Sequence, residues 1–484
     1  MQCVALLLFF LLGCQALCAE SAPPLLLRHV TVIDATGAPP RRDQRVRIEL
    51  GRIVSVGPDT GPVPAHAVVL DGSGKFLIPG LWDMHVHLAF ENWEPFIQPV
   101  FFSMFLTNGV TGVRDMAGDM SLLLKLRRQI DNGEILGPRL VIAGRELSWL
   151  PQDTWQFAVL NAAQARHIVD QLVAARVNFI KVQDPLSREV YFAVADEARR
   201  RKIPFAGHVP YSVTASEASA AGQRSFEHLI GIPEACSTQE RKLKQSESAA
   251  MVRLDPGQHE AARFFFAAFD SYSPGRAAKL FDQLKKNNTW QVPTLVEERS
   301  SWTLSGAHRL NDERMRYVPE VTLRWWDSYM TNLAEGRTAE DLAAGEKYFE
   351  RELVLVGDLH RAGVKLLAGT DAIAMAYVFP GSSLHEELEL MVQAGLTPME
   401  ALQTATRNPA EYLGVLQVRG TVEAGKVADL LLLNANPLDD IGNTTKIEAV
   451  ILSGRLFRRR DLDGMLSSAA ARARDSKASA QSHQ

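Results

Sequence analysis

The chain has 484 residues, with 52 lysines and arginines against 56 aspartates and glutamates, and a formal net charge of −4. This balance is typical of a globular protein that is long enough for one large α/β domain and an accessory domain. No basic block indicates a nucleic-acid partner, and no segment after the N-terminus is long and apolar enough to span a bilayer. We therefore expect neither a nucleic-acid partner nor a transmembrane span, and nothing in the sequence excludes a homo-oligomer.

The first residues, MQCVALLLFFLLGCQALCAESAPP, combine a short apolar run with small residues. This pattern predicts a signal peptide over residues 1–19 and an exported protein, either periplasmic or secreted. Leu11–Cys14 also resembles a lipoprotein cleavage site, so anchoring through Cys14 is a less favoured alternative. Three of the four cysteines lie in this segment, so we expect no internal disulfide framework.

Apolar and polar residues alternate over residues 25–75, in segments such as LLLRHVTVIDATG and RVRIELGRIVSVG. Residues 413–460 repeat the pattern in VADLLLLNANP and KIEAVILSGRLF. Alternation of this kind predicts half-buried strands, so we expect the two segments to combine into one small β-sandwich domain. Residues 466–484 are rich in alanine, serine and charged residues, and we expect them to form a disordered tail.

Residues 76–412 contain eight apolar runs that are bounded by turn residues. In chain order they are FLIPGLWDMHVH, GVTGVRD, PRLVIAG, NFIKVQD, IPFAGHV, QRSFEHL, TWQVPTL and GVKLLAGTD. Helical patterns lie between several of them, which predicts an α/β fold with a (β/α)8 TIM-like barrel. The polar stretch at about 234–350 is too long for a simple connection, and part of it is expected to form a lid over the barrel.

Metal-binding side chains stand at the ends of several of these runs. Alternate residues of a strand face the same side, so His85 and His87 are expected to project together. His208, His228 and Asp371 end three later runs. Because a barrel collects its chemistry at the carboxyl ends of its strands, these five residues predict a metal site.

Lys181 in NFIKVQD stands at an equivalent strand end. A salt-bridged lysine is the simpler interpretation. A buried lysine can instead lose its proton and react as a free amine. Carbamylation by carbon dioxide would then give an anionic oxygen ligand that bridges two metal ions.

A longer series of motifs, in order, covers nearly the whole chain after the leader: VTVIDATG, PGLWDMHVH, TGVRD, FIKV, FAGHVP, SFEHL, LAGTDA, GLTPMEALQTATRNPAEYLG and GTVEAGKVADLLLLNANP. The series resembles the amidohydrolase superfamily, and within it the imidazolonepropionase-like proteins and the zinc-dependent Xaa-Pro or Lys/Arg dipeptidases. The resemblance implies that His85, His87 and Asp371 hold the more buried metal ion. It implies that His208 and His228 hold the more exposed one.

In the same family pattern, carbamylated Lys181 bridges the two ions, and an unmodified lysine leaves a single ion. Zn²⁺ is the expected metal, because the ligands are rich in imidazole and the chemistry needs a Lewis acid without redox activity.

The resemblance implies a small-molecule or short-peptide substrate, and the expected reaction is hydrolysis of the C–N amide bond of dipeptides or N-acyl amino acids by metal-activated hydroxide. Asp371 is expected to take the proton of the water and pass it to the leaving nitrogen, unless it serves only as a ligand. A cyclic-amide hydrolase or deaminase-like enzyme is the first alternative. A metal-dependent binding protein without turnover is the second.

Four other residues are weaker candidates. Arg114 and Asp115 either orient the ligands or form an ordinary surface pair. Tyr211 either contacts substrate or packs as a loop aromatic. His385 either contacts substrate or faces solvent in the first turn of a helix that Ser383 and Glu386 would start as a capping box.

Overall fold

The computed structural model describes residues 23–90, 92–149, 155–252, 266–303, 311–335 and 337–481. The predicted signal peptide, with Cys14, lies outside these residues. Across the described ranges, no helix combines the length and apolar character needed to cross a membrane.

The described strands are β1 (Leu25–Val32), β2 (Arg41–Glu49), β3 (Arg52–Pro58), β4 (Val68–Asp71), β5 (Phe76–Pro79), β6 (Leu81–Val86), β7 (Val110–Asp115), β8 (Arg139–Ile142), β9 (Glu146–Ser148), β10 (Gln156–Ala158), β11 (Ile180–Val182), β12 (Phe205–Gly207), β13 (Ser225–Glu227), β14 (Trp290–Val292), β15 (Leu430–Leu433), β16 (Ile447–Leu452) and β17 (Arg455–Arg458).

The described α-helices are Glu94–Phe96, Ser103–Thr107, Met120–Asp131, Ala162–Ala174, Arg188–Arg201, Ala215–Ala221, Ile232–Cys236, Glu240–Val252, Pro274–Lys286, Leu295–Thr303, Glu320–Ala334, Ala339–Arg361, Ser382–Gln393, Pro398–Thr404, Arg407–Tyr412 and Arg459–Gln481. A π-helical segment, Ile97–Phe102, and two 3₁₀ helices, Glu313–Tyr317 and Ile441–Thr445, complete the set.

Strands from both terminal segments share one eight-stranded sheet in the order β17-β16-β15-β5-β1-β2-β3, with β4 paired to β1. β15 has the sequence LLLL and is buried on both faces. Leu430 and Leu432 pack into a small core within the sheet domain, whereas Leu431 and Leu433 pack into the large core of the molecule. The two-residue period of a strand thus explains how a run of four leucines joins the two domains.

Gly80 divides the segment that we expected to be the first barrel strand. Residues 76–79 form β5 in the terminal sheet, and the next strand, β6, begins at Leu81. A Cβ atom at Gly80 would lie 2.4 Å from Oγ1 of Thr111, so the close approach to β7 requires glycine. The boundary predicted before Phe76 is therefore wrong by about four residues.

The remaining strands form two parallel sheets, β6-β7-β8 and β10-β9-β11-β12-β13-β14. Near one end of each sheet, β8 and β9 follow each other closely in the chain; β8 pairs with β7, and β9 lies between β10 and β11. At the other end of each sheet lies the segment that ends in Asp371. Its Leu366 bridges to Gln291 of β14, and Ala372 bridges to Val86 of β6. Helices alternate with these strands, which confirms the α/β class.

The helix Glu320–Ala334 belongs to the segment for which we expected a lid. Nε1 of Trp326 donates to the carbonyl of Ile373 at 2.9 Å, and Nε1 of Trp325 donates to that of Ala374 at 2.8 Å. These two carbonyls lie two and three residues after Asp371 in the chain. The helix therefore lies at the carboxyl end of the parallel strands.

The C-terminal residues form a helix, Arg459–Gln481, so the prediction of disorder is wrong for residues 466–481. Leu462, Ala469 and Ala473 are buried at helical spacing. Oγ of Ser476 accepts a hydrogen bond from the backbone of Glu320 at 3.0 Å. Alanine favours the helix, and the small buried face supplies the tertiary contacts that composition did not reveal.

Candidate metal centre

His85, His87 and Asp371 converge at the carboxyl end of β6. Oδ1 of Asp371 lies 3.2 Å from Nε2 of His87 and 3.5 Å from Nε2 of His85. The backbone N–H of Asp371 donates to the carbonyl of His85 at 2.7 Å, which fixes the register between these two segments of the chain. Asp371 has a φ of 62°, in the left-handed region that non-glycine residues seldom adopt. Such strain is typical of functional sites.

Two buried atoms at this point have no hydrogen-bond partner among the described residues, Nε2 of His85 and Oδ1 of Asp371. A buried polar atom without a partner is costly. An imidazole nitrogen and a carboxylate oxygen 3.5 Å apart are a donor set suited to a divalent cation. The residues present therefore fit the expected metal.

The charge states of His85 and Asp371 also suit metal binding. Burial, followed by the neighbouring His228, lowers the pKa of His85 well below its usual value, which favours the neutral ring that a metal requires. Burial alone would raise the pKa of Asp371, but the close contact with His87, and its positive charge, outweigh it and lower the pKa to about 2. Asp371 is therefore ionised at neutral pH.

His228 and His208 extend the cluster. The ring of His228 lies 4.5 Å from that of His85 and 5.0 Å from that of His208, between centroids. Nε2 of His228 is 3.9 Å from Oδ2 of Asp371. Oxygen and nitrogen atoms of His85, His228 and Asp371 all lie within 4.8 Å of one another.

All four histidines are held through Nδ1. The contacts are His85 to Glu227 Oε2 at 2.9 Å, His87 to the carbonyl of Ala117 at 3.0 Å, His208 to Asp184 Oδ1 at 2.6 Å and His228 to Thr294 Oγ1 at 2.7 Å. A partner at Nδ1 fixes the ring and its tautomer and leaves Nε2 for a ligand.

Lys181 lies in β11 with 1% of its surface exposed. In the described part of the chain it has neither a hydrogen bond nor a carboxylate within 4.0 Å. A Cβ atom on Gly207 of β12 would lie 2.9 Å from Cδ of Lys181, so the glycine leaves room for the lysine stem. The interpretation of Lys181 as a salt-bridged lysine is therefore wrong.

Arg114 and Asp115 are fully buried and do not form a surface pair. Nη2 of Arg114 donates to Oε2 of Glu227 at 2.8 Å, and Glu227 is the residue that holds His85. Oδ2 of Asp115 accepts the backbone N–H of Leu88, one residue beyond His87, at 2.8 Å. Both side chains thus support the segment that carries the histidines.

Sequence reasoning missed Glu227, Asp184 and Thr294, the partners of three histidines, and it also missed Glu297. Oε2 of Glu297 lies 3.8 Å from Nδ1 of His228. Burial and the nearby charge of Asp371 raise the pKa of Glu297 to about 8. Of these four residues only Glu227 had a signal in the sequence, as an acidic residue within an apolar strand, SFEH.

Tyr211 follows His208 on the next loop. Its backbone N–H donates to the carbonyl of Asp184 at 3.1 Å, and burial raises the pKa of its phenol. The side chain lines a cavity of about 270 Å³ together with Asp184. Contact between Tyr211 and a substrate stays a prediction.

His385 is buried, so the prediction of a solvent-facing ring is wrong. Nδ1 lies 2.9 Å from Oγ1 of Thr444, and Nε2 lies 3.1 Å from the carbonyl of Asn108, which precedes β7 at its amino end. Neither ring nitrogen is left for a substrate, and this end of β7 is opposite to the histidine cluster. The predicted capping box is also wrong, because Gly381 precedes the helix and Oγ of Ser383 accepts the N–H of Phe379 instead.

Aromatic rings lie beside His87. The ring of Phe90 is 5.1 Å from that of His87 and stacks on Trp155 with centroids 4.1 Å apart. The ring of Trp325, in the helix Glu320–Ala334, lies 5.6 Å from that of Phe90, between centroids. These contacts give the His87 side of the cluster an apolar wall.

Residues 283–457 match the amidohydrolase family. The chain is 25% identical over 422 residues to an imidazolonepropionase of Geobacillus kaustophilus (strain HTA426), across 80% of this chain and 83% of the relative. A candidate prolidase from Bifidobacterium longum is similar in structure, with a TM-score of 0.63 and 26% identity over 93% of this chain and 99% of the other. Bottromycin amidohydrolase is similar with a TM-score of 0.70 and 21% identity, over 93% and 90% of the two chains.

Proposed function

We propose that this chain is a metal-dependent hydrolase of the amidohydrolase superfamily that cleaves the amide bond of dipeptides or N-acyl amino acids, as its similarity to amidohydrolases supports. One observation carries the proposal. Nε2 of His85 and Oδ1 of Asp371 are buried 3.5 Å apart without a hydrogen-bond partner among the described residues.

The scaffold in this proposal is a closed (β/α)8 barrel. Its support is that the segment ending in Asp371 bridges β14 to β6, and that β8 and β9, one in each sheet, follow each other closely in the chain. All proposed ligands then lie at one rim, where barrels carry their active sites. We also propose, from the N-terminal composition, that the enzyme acts outside the cytoplasm.

Six side chains would hold the metal ions: His85, His87, Asp371, His208, His228 and Lys181 as a carbamate. When bound, divalent ions supply a Lewis acid and lower the pKa of a water molecule to near neutrality. Zn²⁺ suits the imidazole-rich donor set. Two ions are expected with the carbamate and one without it.

The environment of Lys181 supports the carbamate. The amine of Lys181 is 1% exposed, and it lies close enough to His85, His87, His228 and Asp371 to affect their charges. An anionic carbamate reverses the charge of this side chain and complements cations held by the histidines.

Asp371 is the proposed proton carrier. Its pKa of about 2 makes it a carboxylate at neutral pH, and Oδ1 has no hydrogen-bond partner among the described residues. Oδ2 can accept the proton of the attacking water and return it to the departing nitrogen, while Oδ1 is the oxygen assigned to the metal ion. The contacts with His85 and His87 hold this oxygen in place.

The similarity to a candidate prolidase at 26% identity favours linear amides. The wall of Phe90, Trp155 and Trp325 favours an apolar group beside His87. Cyclic amides are the second candidate substrates, since the curated relatives with the broadest coverage are imidazolonepropionases.

The test is hydrolysis of a pooled library of dipeptides, N-acyl amino acids and cyclic amides by zinc-loaded protein, followed by mass spectrometry. Asp371→Ala serves as the blank, and Asp196→Ala, on an exposed helix face, is the matched control. The proposal is supported if the wild type and the control consume linear amides and the blank does not. Loss of ring compounds alone favours the second candidate, and turnover by the blank contradicts the role of Asp371.

A further inference from the structure

A cavity of about 560 Å³ opens at the amino ends of the parallel strands. Its rim includes Arg139, the first residue of β8, and Arg224, the residue before β13. The candidate metal ligands lie at the carboxyl ends of the same strands, so this cavity is separate from the metal centre. No step of the proposed hydrolysis uses it.

The lining is strongly basic. It contains four arginines, Arg114, Arg139, Arg224 and Arg419, and a single acidic residue, the exposed Asp131. Between the arginines the wall is apolar, with Trp82, Leu140, Val141 and Phe179. A charged rim over an apolar wall is suited to a ligand with one charged and one apolar end.

Two of the four guanidinium groups are neutralised within the protein. Arg114 pairs with Glu227 at 2.8 Å, and Nε of Arg139 lies 3.1 Å from Oδ2 of Asp429. Because each of these two arginines is already paired with a carboxylate, it has little capacity to bind a further anion.

The other two, Arg224 and Arg419, have no carboxylate within 4.0 Å among the described residues. Arg224 donates from Nη2 to the carbonyl of Tyr412 at 3.3 Å, and its guanidinium lies 5.3 Å from the ring centre of Tyr412. Nε of Arg419 is buried without any hydrogen-bond partner in the described ranges. Burial and the positive charge of Arg139 lower the pKa of Arg419, and the more distant charges of Asp429 and Asp131 offset this only in part.

We propose that this cavity is a binding site for a small organic anion, whose carboxylate or phosphate group contacts Arg224 and Arg419 and whose apolar body packs against Phe179 and Trp82. Guanidinium groups bind both kinds of anion through paired, charge-assisted hydrogen bonds. An anion there supplies the missing partner of the buried Arg419 Nε.

The test uses isothermal titration of the zinc-loaded protein with phenyl phosphate, benzoate and inorganic phosphate at one fixed ionic strength. We expect saturable binding, tighter for the two aromatic probes than for inorganic phosphate. The preferred aromatic probe identifies phosphate or carboxylate as the natural head group. Arg224→Gln and Arg419→Gln should each weaken binding about tenfold.

Arg460→Gln is the matched control, because this arginine is 85% exposed and lies outside the cavity. Arg224→Lys, which keeps the charge, should retain part of the affinity. Since the metal ions can also bind these probes, only the component that the Arg224 and Arg419 variants remove is assigned to the cavity. Binding that these variants leave unchanged, or that Arg460→Gln weakens equally, would overturn the proposal.

Discussion

His85 and Glu227 are in direct contact, with Nδ1 of the histidine 2.9 Å from Oε2 of the glutamate, and neither side chain is exposed to solvent. The same oxygen accepts a hydrogen bond from Nη2 of Arg114, and Oε1 accepts one from Ser225 at 2.6 Å. Glu227 therefore fixes the ring of His85 with Nε2 turned toward Asp371. It also neutralises the buried charge of Arg114.

Glu227→Gln should weaken binding of the first metal ion by about 10- to 100-fold, because the residue that orients a metal-binding histidine contributes to its affinity. The free energy of unfolding should fall by about 3–5 kcal/mol, since Arg114 loses its buried partner. A chelator competition titration measures the affinity, and urea unfolding measures the stability.

Glu197→Gln is the control for this experiment. Glu197 is also buried and paired with arginines, Arg200 and Arg201, but on the helix Arg188–Arg201. This variant should lose stability without a change in metal affinity. Equal metal affinities for the wild type and Glu227→Gln would show that Glu227 does not position His85.

The strand-end histidines could be predicted because strand periodicity and chain position depend only on local sequence. The hydrogen-bond partners of these histidines could not be predicted. Glu227 is 142 residues from His85, and Thr294 is 66 residues from His228, so only the tertiary fold brings these pairs together. No local pattern encodes such contacts.

The wrong predictions have the same origin. His385 occupies the first turn of a helix, a position that is usually exposed, yet its partners Asn108 and Thr444 come from distant segments. Residues 466–481 have a polar composition, but their few small apolar residues share one helix face and are buried. Burial of these residues is decided by neighbours that the sequence pattern does not identify.

Asp371→Asn should reduce kcat by about 10²- to 10⁴-fold, because the amide cannot carry a proton. The side chain keeps its shape, so the fold should persist. Steady-state hydrolysis of the substrate found in the library gives kcat, and circular dichroism checks the fold. A variant that keeps its fold and its full kcat would contradict the role of Asp371.

Lys181 should determine the number of bound metal ions. Elemental analysis of the wild type in bicarbonate buffer should give close to two zinc ions per chain, and Lys181→Met should give close to one, because methionine cannot form a carbamate. A carbamate signal from ¹³C-labelled bicarbonate should appear in the wild type and be absent from Lys181→Met. Lys202→Met, on an exposed helix end, is the control and should keep both ions.

Two ions in Lys181→Met would show that no bridging carbamate is needed. One ion in the wild type, without a carbamate signal, would favour the mononuclear form of the site.

His385 should make the protein less stable in mild acid. Burial lowers the pKa of its imidazole to about 4, below the value of about 6.5 expected in the unfolded chain. As the pH falls, the unfolded chain takes up this proton first, so stability that is present above about pH 6.5 is lost progressively toward pH 4. Between about pH 7 and about pH 5 the expected loss is about 2 kcal/mol from this residue.

The measurement is urea unfolding of the wild type and His385→Gln across this pH range, with zinc in excess for both proteins. Glutamine does not titrate, so the variant should show a shallower decline in the free energy of unfolding, although it is less stable at neutral pH. His167→Gln, on an exposed helix face, should decline as steeply as the wild type. Parallel curves for the wild type and His385→Gln would mean that His385 does not titrate with unfolding, and the acid sensitivity would then come from other groups.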